Sequence, residues 1–422
     1  MFTKQNITFA SLIVCHLLFL LCLVVLGSTI FTLEISFWDR SIQWDALHYL
    51  DIRNEGYLFD GCNDPRTAFF PLFPFIWKFL PSGGLTISIF NFTLFSISVI
   101  ALTNVFQIRK NIAFLYLALP SCFFFLVPYT EAIQFAGLTL LLIGLKRNQL
   151  LYIFFGTFIA TLSRPTATIL VPAVFIVAFI LIWQQQYTLK FIFIRLLLPM
   201  LLAIALGLSI VNGIQYYDTG VWWAMIKAQT CWDHGIHAFS FPILSWSEDY
   251  IHRYDGMMMD LILVIATGII IWFIQLLLGK KSNRHSPIDI PFLFSSLYIA
   301  GVGFSILLFQ KDTHSINRYL QCTPFFFVFL ATLLVEIKRY NIKYLISIFL
   351  LLLFFSAPFG AFNHIQTLLW YLLSITIILL LLTTFYWTIS TLQKISFVIT
   401  YLVLTAFQAF LLLTFLNGSW VG

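Results

Sequence analysis

The chain has 422 residues, of which 60% are hydrophobic and 9% charged; its formal net charge is +6 and its mean hydropathy +0.95. No water-soluble domain carries that much apolar surface. Apolar runs of about 20 residues recur from end to end, the signal of membrane helices rather than of a spanning β-barrel, whose strands read as short alternating segments. No polar stretch is long enough for a separate soluble domain, and no low-complexity linker or solenoid repeat interrupts the pattern. The expectation is one all-α polytopic membrane domain over residues 1–422.

In chain order, Lys4 precedes an apolar run at 9–30 that is too long for a signal-peptide core and lacks an A-x-A site, so it reads as an uncleaved signal anchor. Further spans are expected at 85–108, 111–127, 132–145, 150–163, 166–183, 191–213, 257–279, 288–309, 319–336, 344–360, 366–388 and 395–416, thirteen in all. The runs 132–145 and 150–163 are short. Fourteen helical residues reach about 21 Å against a hydrocarbon core of about 30 Å, so their ends are expected at membrane depth, against protein or a wet cavity.

With a cytoplasmic N-terminus, the inner loops receive most of the 23 basic residues: Lys4, Arg109, Lys110, Lys146, Arg147, Lys190, Arg195, Lys280, Lys281, Arg284, Lys338, Arg339, Lys343 and Lys394. Of the acids, only Asp289 and Glu336 join them. The net charge is thus accounted for by topology and carries no argument for nucleic-acid binding. The only long loops, 31–84 and 214–256, fall outside, so the chemistry is expected on the extracytoplasmic face. The six cysteines show no zinc spacing, and no metal-ligand pattern stands out. Cys62 and Cys231 both fall in outer loops, where the compartment permits a pair although nothing in the spacing calls for one.

The stretch QWDALHYLDIRNEGY, residues 43–57, concentrates polar groups in a greasy chain. It reads as a short amphipathic helix lying on the membrane, with Asp45, His48, Tyr49 and Ile52 on one face and Gly56 as a left-handed C-cap. AFFPLFPFIW follows, its Pro71 and Pro74 expected to break regular helix. Asp51, Glu55 and Asp60 read as solvated acids of a juxtamembrane anchor. Asp45 differs: it follows Trp44 where the chain leaves the bilayer, and a carboxylate against apolar surface is a functional candidate.

More polar residues fall at expected outer helix ends. They are Glu131 in VPYTEA, Arg164 in LSRPTA, Arg318 and Tyr319 in INRYLQCTPFF, and Lys227, Gln229 and Trp232 in VWWAMIKAQTCWDHG. Taken singly, each reads equally well as a structural ion pair or a snorkelling side chain. Together they outline a charge scheme. Two or three cations can hold an anion such as the phosphate of a lipid carrier, one carboxylate can deprotonate a hydroxyl, and the proline-broken aromatic segments can line a groove for a lipid tail. One active site requires Asp45, Glu131, Arg164 and Arg318 to line a common cavity, with Asp45 expected within roughly 6–12 Å of an arginine.

These residues also carry a resemblance. WDALHYLDIRNEGY followed by AFFPLFP resembles the PIG-V family of integral-membrane mannosyltransferases, which includes the enzyme adding the second mannose of GPI anchors. The family's W-D-x-x-H-[FY], I-x-x-x-G-Y and A-F-F-P-x-[FY]-P segments correspond to Trp44–Tyr49, Ile52–Tyr57 and Ala68–Pro74. PYTEA is similar to its Y-[ST]-E segment, and SRPTA stands where relatives have an arginine among small residues. MIKAQTCW is similar to the A-Q-x-x-W of bacterial members and NRYLQCTPFF to their R-Y-x-x-x-x-P. The order holds over most of residues 38–330; the helices over 344–416 match no known segment.

The resemblance implies a GT-C glycosyltransferase. Its donor would be a polyprenyl- or dolichyl-phosphate sugar, with a bias to mannose. Its acceptor would be a lipid-linked or glycan hydroxyl that attacks the donor sugar with inversion, and no cofactor is expected beyond the donor itself, a need for a metal being left open by the sequence. It implies Asp45 as the general base; the charge scheme adds Glu131 as the runner-up base, Arg164, Arg318 and Lys227 as cations for the donor phosphate, and Trp44, His48, Gln229 and Tyr319 as further substrate-binding candidates. The glycosylation pattern is poor: N-I-T at 6 falls inside, N-F-T at 91 in a span, and only N-G-S at 417 outside. That favours a bacterial inner membrane, where the acceptor is not a GPI precursor, over the ER membrane of a eukaryote.

Two other readings compete. A transporter or flippase of lipid-linked sugars would use the same cations and groove without chemistry, but it usually shows inverted repeats with paired broken helices near the midplane, whereas here the polar groups sit at one face only, which favours an enzyme. A purely structural membrane subunit would not cluster acids and bases at one face. No GxxxxGK[ST] loop occurs, which argues against a nucleotide-sugar donor.

Overall fold

The apolar runs are mainly helical in the computed structural model, which describes residues 4–31, 40–232, 234–235, 243, 249–278, 288–310, 312–337, 342–387 and 389–421. Lys280, Lys281, Arg284, Lys338 and Arg339, assigned above to inner loops, lie outside the described residues, as do parts of both long loops. The chain is 82% helix with no strand among the described residues. Nine described helices are long and apolar enough to cross a membrane, or ten if one bent pair counts as a span. The protein is a multi-pass α-helical membrane protein.

Four of the thirteen expected spans do not pass that test alone. Glu131–Arg147 and Leu150–Ser163 are the short helices anticipated from length. They pack along each other so closely that a methyl on Gly137 would lie 2.9 Å from Ala160 N, the small-residue contact that brings membrane helices together. The other two are interrupted. The run 111–127 divides into an α-helix, Lys110–Leu117, and a 3₁₀ segment, Pro120–Leu126, which is bent by 103° from Glu131–Arg147. The run 319–336 divides into Ile316–Gln321 and Pro324–Glu336. Both breaks fall at a proline, which has no N–H to continue the ladder.

Polar side chains satisfy the backbone freed at these breaks. Asn91 Nδ2 donates to the carbonyls of Val127 (2.8 Å) and Tyr129 (2.9 Å). Gln321 Oε1 accepts from Ser121 N at 3.1 Å, and Thr323 Oγ1 accepts from Phe326 N at 3.3 Å. Non-helical backbone within a membrane domain is tolerable only with such partners.

The predicted first-loop helix forms as Asp45–Glu55, and Ala46, Tyr49 and Ile52 are buried along it. Two details differ from expectation. Gly56 has φ 85° and ψ −164°, a positive φ but not the left-handed cap conformation. Pro71 and Pro74 start a helix instead of breaking one: Leu72–Lys78 begins after Pro71, and Pro74 sits in the first turn, where a missing N–H costs no intrahelical bond. Glu55 is solvated as expected, with 68% of its side chain exposed, although Arg66 Nη1 reaches its Oε2 at 3.1 Å while Arg66 Nη2 holds Asp64 Oδ2 at 2.6 Å.

The two long loops are joined. Gln215 Nε2 donates to Thr67 O at 2.7 Å, and Cys62 and Cys231 form a disulfide with Cα atoms 5.2 Å apart, although their spacing had given no reason to pair them. At the other extreme of the chain, the last helix, Ser390–Leu416, packs against the first, Lys4–Ile30, and against the Pro120–Leu126 segment.

Candidate functional site

Three short helices carry most of the candidate residues: Asp45–Glu55, Ala224–Gln229 and Ile316–Gln321. Each is preceded by a non-glycine residue with positive φ: Trp44 at 53°, Trp223 at 58° and Ser315 at 65°. Such conformations are sparsely populated for L-residues and persist only where the surroundings enforce them, which happens most at functional sites. Asp255, fully buried on the long helix Asp249–Leu278, helps enforce one of them: its Oδ1 accepts from Asn317 N at 3.1 Å, at the start of the turn that carries Arg318.

The four expected charges converge. Arg318 Nη1 donates to Asp45 Oδ2 at 3.0 Å, and Arg318 Nε lies 3.3 Å from Glu131 Oε1, within ion-pair reach but not aligned as a hydrogen bond. Arg164 Nη1 donates to the same Glu131 oxygen. The cluster has two positive and two negative groups and is largely dry: Glu131 is 1% exposed, Arg318 3% and Arg164 8%. Asp45, with 19% of its side chain exposed, is the wettest of the four. Glu131 Oε2 is buried with no hydrogen-bond partner among the described residues, so this carboxylate keeps free acceptor capacity.

Aromatic rings wall the cluster. The Arg318 guanidinium carbon lies 5.3 Å from the ring centres of Phe124, Tyr129 and Trp420 and 5.5 Å from that of Tyr319. Arg164 lies 5.1 Å from the Tyr319 ring, which thus touches both cations. Burial works against the Arg318 charge, but Asp45 and Glu131 outweigh it and raise its pKa above the ordinary arginine value. Burial also lowers His314 to about 3, with Arg318 and His234 adding to the effect, so this imidazole beside the cluster is neutral.

The geometry corrects one expectation and does not meet another: neither of the two cavities beside these elements, of about 510 and 830 Å³, is lined by Asp45, Glu131, Arg164 or Arg318. Asp45 was placed some way from the arginines, with room for a substrate between, yet it touches Arg318 directly. The carboxylates themselves supply the charge that neutralises the guanidinium groups, which makes the ion-pair arrangement the one observed here. A buried pair of this kind is weak evidence for stability, because desolvation offsets the attraction.

The remaining candidates are distributed around this centre. Trp44 is 37% exposed and meets Trp420 edge-on at 5.4 Å. His48 stacks on Phe69 at 4.7 Å, and Phe69 meets Trp232 at 6.2 Å, so AFFPLFP and the second long loop share a wall with the first-loop helix. Lys227 is exposed, and no ion pair joins it to the cluster among the described residues. Gln229 Oε1 lies 2.8 Å from His234 Nδ1. Sequence reasoning missed Tyr129, Phe124, Asp255 and Trp420. Only Tyr129 had a signal, its place in PYTEA two residues before Glu131.

Two cavities flank these elements. One, about 510 Å³, is an open cleft at Glu55, Lys78 and Asp218. The other, about 830 Å³, is lined chiefly by aliphatic and aromatic side chains of the helices Asp249–Leu278, Pro324–Glu336 and Ile365–Tyr386. It reaches Gln321, one helical turn beyond Arg318, and Tyr254. Compared with known proteins, the chain matches no family model, no curated protein and no solved structure.

Proposed function

We propose that this protein is a membrane glycosyltransferase of the GT-C type that moves a sugar, with mannose favoured, from a polyprenyl-phosphate carrier to a hydroxyl of a lipid-linked or glycan acceptor. The observation that carries this reading is the convergence of Asp45, Glu131, Arg164 and Arg318, from four separate parts of the chain, on one largely buried cluster with one carboxylate partly exposed. The apolar cavity of about 830 Å³ beside it is suited to a lipid tail.

In this reading the donor phosphate competes with the carboxylates for the guanidinium groups, which match its oxygens in a bidentate way. Asp45, released from Arg318, takes the proton of the acceptor hydroxyl. The acceptor oxygen attacks the anomeric carbon from the side opposite the phosphate, the carbon–oxygen bond to the phosphate breaks, and polyprenyl phosphate leaves with the bonding electrons. Configuration inverts, and one carboxylate suffices because the phosphate needs no protonation to depart. Glu131 holds the two arginines together and is the alternative base. Tyr319, Trp44, His48, Lys227 and Gln229 would shape the sugar and acceptor side.

The four apolar segments that are short or interrupted belong to the site's walls in this scheme, within a fold of thirteen apolar segments in all. The Cys62–Cys231 disulfide favours an oxidising, extracytoplasmic side for both long loops. A bacterial inner membrane with the N-terminus in the cytoplasm fits the charge distribution.

One observation favours a second reading, a flippase of lipid-linked sugars. The large cavity is lined by Gln321 and Tyr254 towards the cluster and by Gln184 and Asp289, the caps of helices at the expected inner side. Incubating purified protein with radiolabelled polyprenyl-phosphate mannose and membrane lipid extract separates the two. A transferase yields a labelled product that is no longer a polyprenyl phosphate, whereas a flippase leaves the label on its carrier.

A further inference from the structure

The helices after residue 344 match no segment of the resemblance, yet the last of them ends at the cluster. Phe415, fully buried in the final turn of Ser390–Leu416, packs edge-on against Tyr129 at 5.7 Å and Phe124 at 6.2 Å, two of the rings around Arg318. The chain then turns through Gly418, whose φ is +91°, and brings Trp420 onto the guanidinium. Trp420 is also stacked with His314 at 5.2 Å and edge-on to Trp44 at 5.4 Å. Gln43 Nε2 donates to Leu416 O at 3.3 Å and Asn317 Nδ2 to Val421 O at 3.4 Å, so the segment is pinned to both strained turns that carry the Asp45–Arg318 pair.

We propose that Trp420 is a positioning residue of the site: it seats the Arg318 guanidinium and keeps water from it, and the last helix serves to deliver it there. A guanidinium donates hydrogen bonds through its edges and stacks through its faces. Here two edge nitrogens are turned to Asp45 and Glu131, while rings from four places in the chain surround the group. Phe124, Tyr129 and Tyr319 come from segments next to the charged residues; Trp420 comes from about 100 residues further along the chain than Arg318. A ring in this place fixes the plane of the cation, and hence the direction in which its N–H groups meet an anion. It also lowers the local dielectric, which strengthens the charge interactions inside. The alternative is that Trp420 is an ordinary apolar plug whose loss loosens the whole neighbourhood. The proposal rests on the transferase reading only for what the anion is.

The test is labelling of arginines by phenylglyoxal, read residue by residue by mass spectrometry on the full-length purified protein, for wild type, Trp420→Ala and Trp420→Phe. Arg318 should label slowly in wild type. In Trp420→Ala it should label roughly tenfold faster, the change expected when a cation–π contact to a desolvated guanidinium is lost. Trp420→Phe should restore most of the protection, and Arg164, held by Glu131 and Tyr319, should label at the wild-type rate in both variants. An unchanged Arg318 rate in Trp420→Ala would overturn the proposal. So would an equal rise at Arg164, which marks a plug, or a phenylalanine variant that behaves as the alanine one does. None of these readings needs transfer activity, so failure here is distinct from failure of the transferase reading. Where transfer is measured, Trp420→Ala should raise donor KM more than it lowers kcat.

Discussion

Arg318 and Asp45 are 273 residues apart in the chain and 3.0 Å apart in space, joined by a hydrogen bond from Nη1 to Oδ2. The contact ties the first-loop helix to the turn that re-enters the bundle at Ile316–Gln321, and Glu131 extends it to Arg164. An ion cluster so dry, with Arg318 and Glu131 each under 5% exposed, is costly to assemble and costly to leave half-made.

Removing one partner should therefore destabilise the protein well beyond a surface substitution. Arg318→Ala leaves Asp45 and part of Glu131 uncompensated, and the loss should be about 3–5 kcal/mol, the range for a broken buried pair. Arg318→Lys keeps the charge but not the planar fork, so it should fold better than the alanine variant while raising donor KM. Thermal melting and donor titration of the two variants check this; an unchanged KM in the lysine variant removes the phosphate-binding role from Arg318.

Reduction should loosen the site from outside. The Cys62–Cys231 bridge closes a separation of 169 residues and clamps the two long loops together. Replacing both cysteines by serine should cost about 2–4 kcal/mol, a typical disulfide contribution. The melting temperature of the double variant should fall and become insensitive to reductant, whereas that of wild type should drop when reductant is added.

His314 sets a pH dependence. Its folded-state pKa, lowered to about 3 chiefly by burial, lies below the ordinary value of 6.5, so the unfolded chain binds the proton first as pH falls. The stability that rests on a neutral His314 is complete above pH 6.5 and is lost progressively as pH drops towards 3. Melting temperature recorded from pH 7 to about pH 4 should decline more steeply in wild type than in His314→Gln. Parallel curves would show that this imidazole carries no part of the acid sensitivity.

The helical framework was legible because apolar runs long enough to span are unambiguous, and the two short runs declared themselves by length. The interruptions at Pro120 and Pro324 were not, since hydrophobicity continues through both prolines; at the first, Asn91 and Gln321 meet the freed backbone from distant parts of the chain, and at the second Thr323 caps the new helix locally. Within the site, charge type and expected topology were enough to anticipate that Asp45, Glu131, Arg164 and Arg318 would meet. The contact distance was not legible, because nothing local decides whether opposite charges pair directly or stand apart. Trp420 had no signal: a tryptophan just beyond an apolar helix reads as an interface aromatic. Its role exists only through Trp44, His314 and Arg318, which reach it from distant parts of the chain.

The most direct measurement is transfer of radiolabelled mannose from polyprenyl phosphate by purified wild type and Asp45→Asn, at matched amounts and matched melting temperatures. The substitution keeps the shape of the side chain and its ability to accept from Arg318, and removes its basicity. The account predicts transfer by wild type and a loss of about 10²–10⁴-fold in the variant, the usual consequence of losing a general base. Transfer by Asp45→Asn at a rate close to wild type would contradict it and leave Glu131 as the base to examine; no transfer by wild type from any polyprenyl-phosphate sugar would contradict the transferase reading itself.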